Sequence, residues 1–435
     1  MEGSIFANEV VRKSNVVGTN TEVEWVVGSL EEKNQAFRDA RGDSKVTQVD
    51  AFDISGGKGF ISKVYKITIH FDDTNREPFL SILKIPGSEC ILEAMDHQKI
   101  NMDDKEDLLD NKLLANFHNR ECQFYNNFTE IPNLKIVKCY GARDWNEGTQ
   151  EGALIMDYLG DTGMNVEFIY GLNIHQMRNV LKEIHNLQSY FFSLPNKEWE
   201  GEYKMLLDAI EFEKMSEIFT NNWNTIREFV PDQLYKDYET DILALMSNVS
   251  KIFLSNFQEL PFIEGNMRSF VHGDLWNNNF MFLKDKNGTP LNEIDAIIDW
   301  QIIYTGSIGA DLARAIVLGC SVEIRREIET VDLPKYYENL KIEVIQRGGQ
   351  FEMTWDMFKL NYDHCMIDQA LQLLMLYGFS MQNHNVPKDR SDYMWNARKY
   401  AIGSRIVFAM KDAVKKCRVL KPEWLIPKVK AEVTK

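Results

Sequence analysis

Residues 270–301 read FVHGDLWNNNFMFLKDKNGTPLNEIDAIIDWQ. Phe270 and Val271 end an apolar approach, His272-Gly273-Asp274 opens a turn, and three consecutive amides, Asn277, Asn278 and Asn279, follow Trp276. Phe280–Leu283 is a short apolar run and Ala296–Ile298 a second, while Lys286-Asn287-Gly288-Thr289-Pro290 between them is turn chemistry. The stretch therefore reads as a polar loop feeding a β-hairpin, with Asp274, Asn279 and Asp299 at one end. Carboxylate and amide oxygens are the hard ligands that Mg2+ prefers. A carboxylate that can accept a proton beside them is what phosphoryl transfer to a hydroxyl requires. Asp and Asn are also common turn residues, so two surface turns joined by a hairpin would carry the same letters. Against that, Asp299 stands between Ile297-Ile298 and Trp300, where an unpaired carboxylate is costly.

The 435 residues are enough for two or more packed units. A composition of 44% hydrophobic and 26% charged residues is ordinary for a soluble globular protein. The net charge of −16 argues against a nucleic-acid or anionic-membrane partner reached by bulk electrostatics. Cys90, Cys122, Cys139, Cys320, Cys365 and Cys417 are scattered and form no CxxC or Cys/His cluster, which sets aside a structural zinc site or a disulfide framework. The first residues, MEGSIFANEVVRKSN, hold no apolar core of signal-peptide length. No apolar run approaches the length of a membrane span. The expectation is a cytoplasmic protein with no membrane span and no nucleic-acid partner.

Upstream, residues 23–37 fit a strand or a helix equally well. Val49–Ile54 reads as a strand, Ser55-Gly56-Gly57-Lys58-Gly59-Phe60 as a glycine-rich turn, and Ile61–Phe71 as a second strand, alternating and rich in β-branched and aromatic residues. Such a loop can lay backbone N–H groups over phosphates, although most glycine-rich hairpin turns bind nothing. It matches neither the spaced-glycine kinase pattern nor Walker A. Pro78–Ile85 is the next strand, and alternation puts Lys84 in line with Leu80 and Ile82. The bland account is a strand-end lysine reaching water; the functional one is an ammonium aimed at phosphates. Residues 108–129 have helical period, with Phe117, Glu121, Phe124, Tyr125 and Phe128 on one face. A carboxylate inside that apolar stripe must be paired, and Lys84 is the best partner.

Leu134–Cys139 and Gly152–Met156 read as further strands, the second leading through Asp157 and Tyr158 into an extended segment whose backbone can pair with a purine edge. Past Asp161 the pattern is helical. Ile174–Phe192 is one amphipathic helix on which His185 reads as a core histidine. Two or more helices fill 199–258, where the aromatics read as core. Asp311 reads as the N-cap of the helix DLARAIVLGC, and two long helices span Trp355–Leu376 and Tyr393–Lys416.

Taken together, Glu121 with Phe124-Tyr125, the string His272-Gly273-Asp274-Leu275, Asn279, Ile298-Asp299-Trp300-Gln301 and Asp311-Leu312-Ala313 resemble the aminoglycoside phosphotransferase and choline kinase superfamily. More narrowly, they are similar to its CHK kinase-like, ecdysteroid-kinase-like family, in the nematode branch. That resemblance implies an α+β, bilobal protein-kinase-like fold, with a β-rich N-lobe at 1–157, a mainly helical C-lobe at 158–435, and an active site in the cleft between them. It implies ATP and Mg2+ as cofactors and a small-molecule alcohol (sterol-, choline- or xenobiotic-like) as the acceptor. Asp274 would be the catalytic base, and Asn279 and Asp299 would bind Mg2+. Gly56, Gly57 and Gly59 would cover phosphates, Lys84 would contact them with Glu121 holding it, and Met156, Asp157 and Tyr158 would flank adenine. Asp311 would anchor the catalytic loop.

There are departures. HGD and Asp299-Trp300-Gln301 replace the HRD and DFG of protein kinases, and no APE follows. Gly273 stands where choline kinases usually carry Asn, which puts choline itself in doubt. The competing expectation is a nucleotide-binding pseudokinase with a regulatory role.

Overall fold

The β-branched and aromatic run over residues 61–71 becomes the second strand of a five-stranded antiparallel sheet. The computed structural model describes residues 4–55, 61–87, 111–128, 130–208, 213, 216–380 and 392–428. Its first unit comprises Met1–Glu130 and Ile136–Thr162. There α1 (Val23–Lys33) and α2 (Gln35–Arg41) precede β1 (Val46–Asp53), β2 (Ser62–Phe71) and β3 (Phe79–Pro86), and α3 (Asn111–Asn127), β4 (Cys139–Arg143) and β5 (Ala153–Asp157) follow. The strand order is β1-β2-β3-β5-β4, antiparallel throughout.

Residues 23–37, ambiguous by pattern, are helical. Val23, Val26, Val27 and Leu30 recur at helical spacing and pack with Phe37 against Val49, Ile67, Ile69, Leu83 and Ile155 of the sheet. The Asn34 side chain accepts the Phe37 N–H and so caps α2. Because Leu83 belongs to this core, its neighbour Lys84 points from the opposite face of the sheet.

The strand expected at Leu134–Cys139 does not form; ladder pairing begins at Cys139. Asn133 takes a φ of +65°. The Lys135 N–H donates to Glu183, and its carbonyl accepts from Ile297. At Lys135 the backbone is thus satisfied outside the five-stranded sheet, whereas the Lys138 carbonyl already accepts from Asp157 of β5; Ile131–Lys135 belongs to the second unit.

That unit continues over Gly163–Lys435. It contains β6 (Gly163–Met164), α4 (Ile174–Ser193), α5 (Ser216–Arg227), α6 (Glu239–Ser247), β7 (Arg268–Val271), β8 (Phe280–Lys284), β9 (Pro290–Ile297), β10 (Tyr304–Ser307), α7 (Ala310–Gly319), α8 (Leu333–Gln346), α9 (Trp355–Ser380) and α10 (Asp392–Leu420). The expected hairpin is β8–β9, joined by β6 in a three-stranded sheet. β10, which the sequence pattern did not suggest, pairs with β7. Phe191 of α4 stacks on Phe270 of β7 with ring centroids 4.0 Å apart, which seats the strand that enters the 272–279 loop.

The long helix α9 is buried on nearly all sides through Tyr362, Met366, Ile367, Ala370, Leu371 and Leu374. Its polar residues must therefore find partners inside the protein. The fold is α+β, with one β-rich unit and one mainly helical unit. No helix among the described residues is long and apolar enough to cross a membrane.

Candidate active site

The loop between β7 and β8 turns at Gly273, whose φ is +84°. A Cβ there would lie 2.5 Å from the Ile302 carbonyl and 3.2 Å from the Tyr304 ring. This position therefore requires glycine both for its dihedral and for its close approach. The loop is clamped by Asp311. One carboxylate oxygen accepts the His272 N–H at 2.8 Å and the other accepts the Gly273 N–H at 3.0 Å. Asp311 is buried, and burial pushes its carboxyl up to about 6 while these two bonds pull it down. The His272 ring contacts the Ile298 carbonyl at 3.1 Å and packs on Trp300, tying the loop to the end of β9.

Asp311 was expected as an N-cap, and the structure corrects this. Helix α7 starts at Ala310 with Gly309 as the cap residue, and the Asp311 side chain is given to the loop instead. Two backbone donors, one buried and one half-buried, outcompete the capping role, because leaving them unpaired costs more than a cap contributes.

Asp274 follows this clamp. Asn279 Nδ2 donates to the Asp274 backbone carbonyl at 2.8 Å and to Oδ2 at 3.0 Å. That orients the Asn279 amide with its oxygen turned away from the carboxylate. The Ile298 N–H donates to the Asn279 carbonyl, which brings the start of β8 to the end of β9, where Asp299 sits. Asp299 has φ +71° and ψ +57°, a left-handed conformation that short polar side chains tolerate. Gln301 Nε2 donates to its Oδ2 at 3.3 Å. Burial raises the Asp274 carboxyl above its usual range; Arg314 opposes this, and the negative Asp299 reinforces it.

An amide oxygen and a carboxylate beside a second carboxylate make a hard, oxygen-only donor set that suits Mg2+. Such a set is short of protein ligands, as Mg2+ sites are, because this ion keeps several waters. Asn279 and Asp299 fit that role.

In the first unit, Lys84 Nζ lies 2.6 Å from Glu121 Oε2. Both residues are buried, and Glu121 stands among Phe117, Phe124 and Tyr125 on α3. At the end of β5, the Met156 carbonyl accepts from Ser81 Oγ at 2.7 Å, and the Asp157 carboxylate accepts from the Tyr140 hydroxyl at 2.6 Å. The Lys66 ammonium lies 5.1 Å from the centroid of the Tyr158 ring. Gly56, Gly57 and Gly59 lie outside the described residues.

Sequence reasoning missed Arg314. Its Nε and Nη2 donate to Asp274 Oδ1 at 3.0 and 2.5 Å, and its Nη1 donates to Gln369 Oε1 at 3.1 Å. The one signal was a cation three residues after Asp311 on an otherwise apolar helix. His185, expected in the core, lies 3.4 Å from Glu343 and packs edge-on against Tyr336.

The family described as uncharacterized oxidoreductase dhs-27 matches residues 22–413. The chain belongs to this family. A Caenorhabditis elegans protein named uncharacterized oxidoreductase dhs-27 is 28% identical over 393 residues, covering 86% of this chain and 46% of that protein. The chain thus spans about half the length of that relative. A second Caenorhabditis elegans protein, named as an uncharacterized kinase-like protein, is 21% identical over 333 residues, covering 74% of this chain and 82% of that one. Among solved structures, an ADP-bound aminoglycoside phosphotransferase, APH(2'')-Ib, aligns with a TM-score of 0.36 at 12% identity, covering 87% of this chain and 99% of the other.

Proposed function

We propose that this protein is an ATP- and Mg2+-dependent phosphotransferase that phosphorylates a hydroxyl group of a small organic molecule, sterol-, choline- or xenobiotic-like. The observation that carries this reading is the loop in which Asp311 holds the backbone of His272 and Gly273, while Asn279 holds Asp274 beside Asp299. In this reading the Asp274 carboxylate accepts the acceptor's hydroxyl proton as the oxygen attacks, and Lys84, steadied by Glu121, grips phosphate oxygens. Bound Mg2+ supplies neutralisation of phosphate charge. Asn279 and Asp299 would hold it. Met156, Asp157 and Tyr158 would flank the adenine, and Gly56, Gly57 and Gly59 would cover the phosphates. Positioning and charge neutralisation suffice for such chemistry, since little covalent work falls to the protein. Buried free thiols at Cys122, Cys320, Cys365 and Cys417 support a reducing, cytoplasmic setting.

A second reading, a nucleotide-binding pseudokinase, draws on one observation: both Asp274 carboxylate oxygens already carry hydrogen bonds. A carboxylate offers about four lone-pair sites, and the Asp274 side chain is still 15% exposed, which favours turnover. Among the described strands nothing corresponds to the oxidoreductase name of the longer relative. Dinucleotide-binding folds of the doubly wound type need a parallel sheet, and the ladders among the described strands are antiparallel.

The test is a screen of hydroxylated metabolites with purified protein, ATP and Mg2+, read by loss of the γ-phosphate. Acceptor-dependent transfer supports the phosphotransferase. Nucleotide binding without transfer to any acceptor supports the pseudokinase.

A further inference from the structure

The proposed chemistry uses Asp274 and leaves Arg314, the residue that grips it, without a part. We propose that Arg314 is the positioning residue for Asp274, aimed by its third contact to Gln369 on α9. This rests on the phosphotransferase reading above.

The geometry is a double grip from one helix. Asp311 and Arg314 are three residues apart on α7 and so share a face. Asp311 holds the loop's backbone at His272 and Gly273, and Arg314 holds the side chain that the same loop presents. The Asp274 carboxylate has donors on both oxygens. Arg314 Nε and Nη2 converge on Oδ1 at 3.0 and 2.5 Å, and Asn279 Nδ2 reaches Oδ2 at 3.0 Å. Rotation of the carboxylate would break one set or the other.

The guanidinium is itself held. Its Nη1 donates to Gln369 Oε1 at 3.1 Å, and Gln369 Nε2 in turn donates to Asp368 Oδ2 at 2.9 Å. A planar fork spans Asp274 and Gln369 at once, and a lysine ammonium cannot reproduce that span. The Arg314 and Asp274 side chains are 13% and 15% exposed, so the pair is shielded from most of the solvent that makes surface ion pairs weak. A catalytic carboxylate misplaced by an ångström loses most of its effect on rate. Arg314 acts through Asp274 and does not touch the reacting atoms.

The test uses the full chain with ATP, Mg2+ and an acceptor that the wild type turns over, comparing wild type, D274N, R314K, R314M and Q369M. R314M is expected to lose about 100-fold in kcat with KM for ATP unchanged, and R314K about tenfold. Millimolar free guanidinium is expected to restore R314M but not D274N, a rescue that a purely structural role would not show. Q369M keeps the guanidinium and removes its third contact, and is expected to lower kcat about fivefold. R314M turning over at the wild-type kcat overturns the role of Arg314. If R314M does not fold, a wild-type kcat in both R314K and Q369M overturns it equally. A wild type that phosphorylates no acceptor overturns the phosphotransferase reading, and the positioning role falls with it. That outcome is distinct, because it appears before any variant is compared.

Discussion

Lys84 Nζ and Glu121 Oε2 meet at 2.6 Å, with side chains only 8% and 1% exposed. Desolvating two charges costs several kcal/mol each, so such a pair is weak support for stability but expensive to break. Removing one partner takes a close, charge-assisted contact from a group that is itself buried. Glu121→Ala is expected to lower the unfolding free energy by about 3–5 kcal/mol. The apolar double variant Lys84→Met with Glu121→Leu is expected to recover most of that loss, and to show none of the thermal shift on added ATP that the proposed function predicts for the wild type. Urea denaturation of the three proteins, with and without nucleotide, checks both parts.

Gly273→Ala is expected to cost about 2–3 kcal/mol and to disorder the 272–279 loop. The added Cβ would meet the Ile302 carbonyl at 2.5 Å, and the φ of +84° is unfavourable for alanine. Asparagine tolerates the dihedral better but brings the same Cβ, so Gly273→Asn should be no better than alanine. Thermal melting of the two variants measures this, and an unchanged midpoint for either would contradict it.

Asp311→Asn keeps one acceptor oxygen where the His272 and Gly273 N–H groups use two. One buried donor then loses its partner, a penalty of about 1–3 kcal/mol. Turnover is expected to fall further than stability, because the released segment carries Asp274. Denaturation midpoint and kcat, measured on the same preparation, separate the two effects.

The burial of His118 is expected to give the fold a pH dependence whose sign follows from its environment. It is buried on α3, its Nε2 lies 2.8 Å from the Arg143 carbonyl, and burial depresses its pKa to about 4. The folded state therefore keeps the ring neutral while the unfolded chain protonates it near 6.5. The stability contributed is fully present above pH 6.5 and is lost as pH falls from there towards 4. Relative to His118→Gln, the wild type is expected to lose roughly 3 kcal/mol across that window and to run parallel above it. Unfolding free energies measured at intervals from pH 4 to 8 decide this; a flat difference would contradict it.

The parts of the site that were legible in the sequence share one cause, which is a polar residue in an apolar register. Glu121 in its aromatic stripe, Lys84 in line with Leu80 and Ile82, and Asp299 after two isoleucines each had to be paired or functional, because burial of an unpaired charge is costly. The hairpin was legible because its turn residues are local. Arg314 was not, because an arginine on a helix faces water as readily as a partner, and only the tertiary placement of α7 against the loop decides which.

Residues 134–139 carry an apolar pattern that fits a strand, yet Lys135 has its hydrogen bonds with Glu183 and Ile297, far away in sequence. β10 is four residues long and includes Gly306, too short and too weak in propensity to declare itself. The helical character of residues 23–37 was decided by packing on the sheet rather than by local preference.

In the proposed function, Asp274 takes a proton from an acceptor hydroxyl during phosphoryl transfer. The most direct test is transfer of the labelled γ-phosphoryl group of ATP to a hydroxylated acceptor by wild type and Asp274→Asn, with ATP binding followed on both. Transfer by the wild type is expected, with its loss by about a thousandfold or more in Asp274→Asn and ATP binding unchanged within about twofold. Transfer by Asp274→Asn at close to the wild-type rate would contradict it.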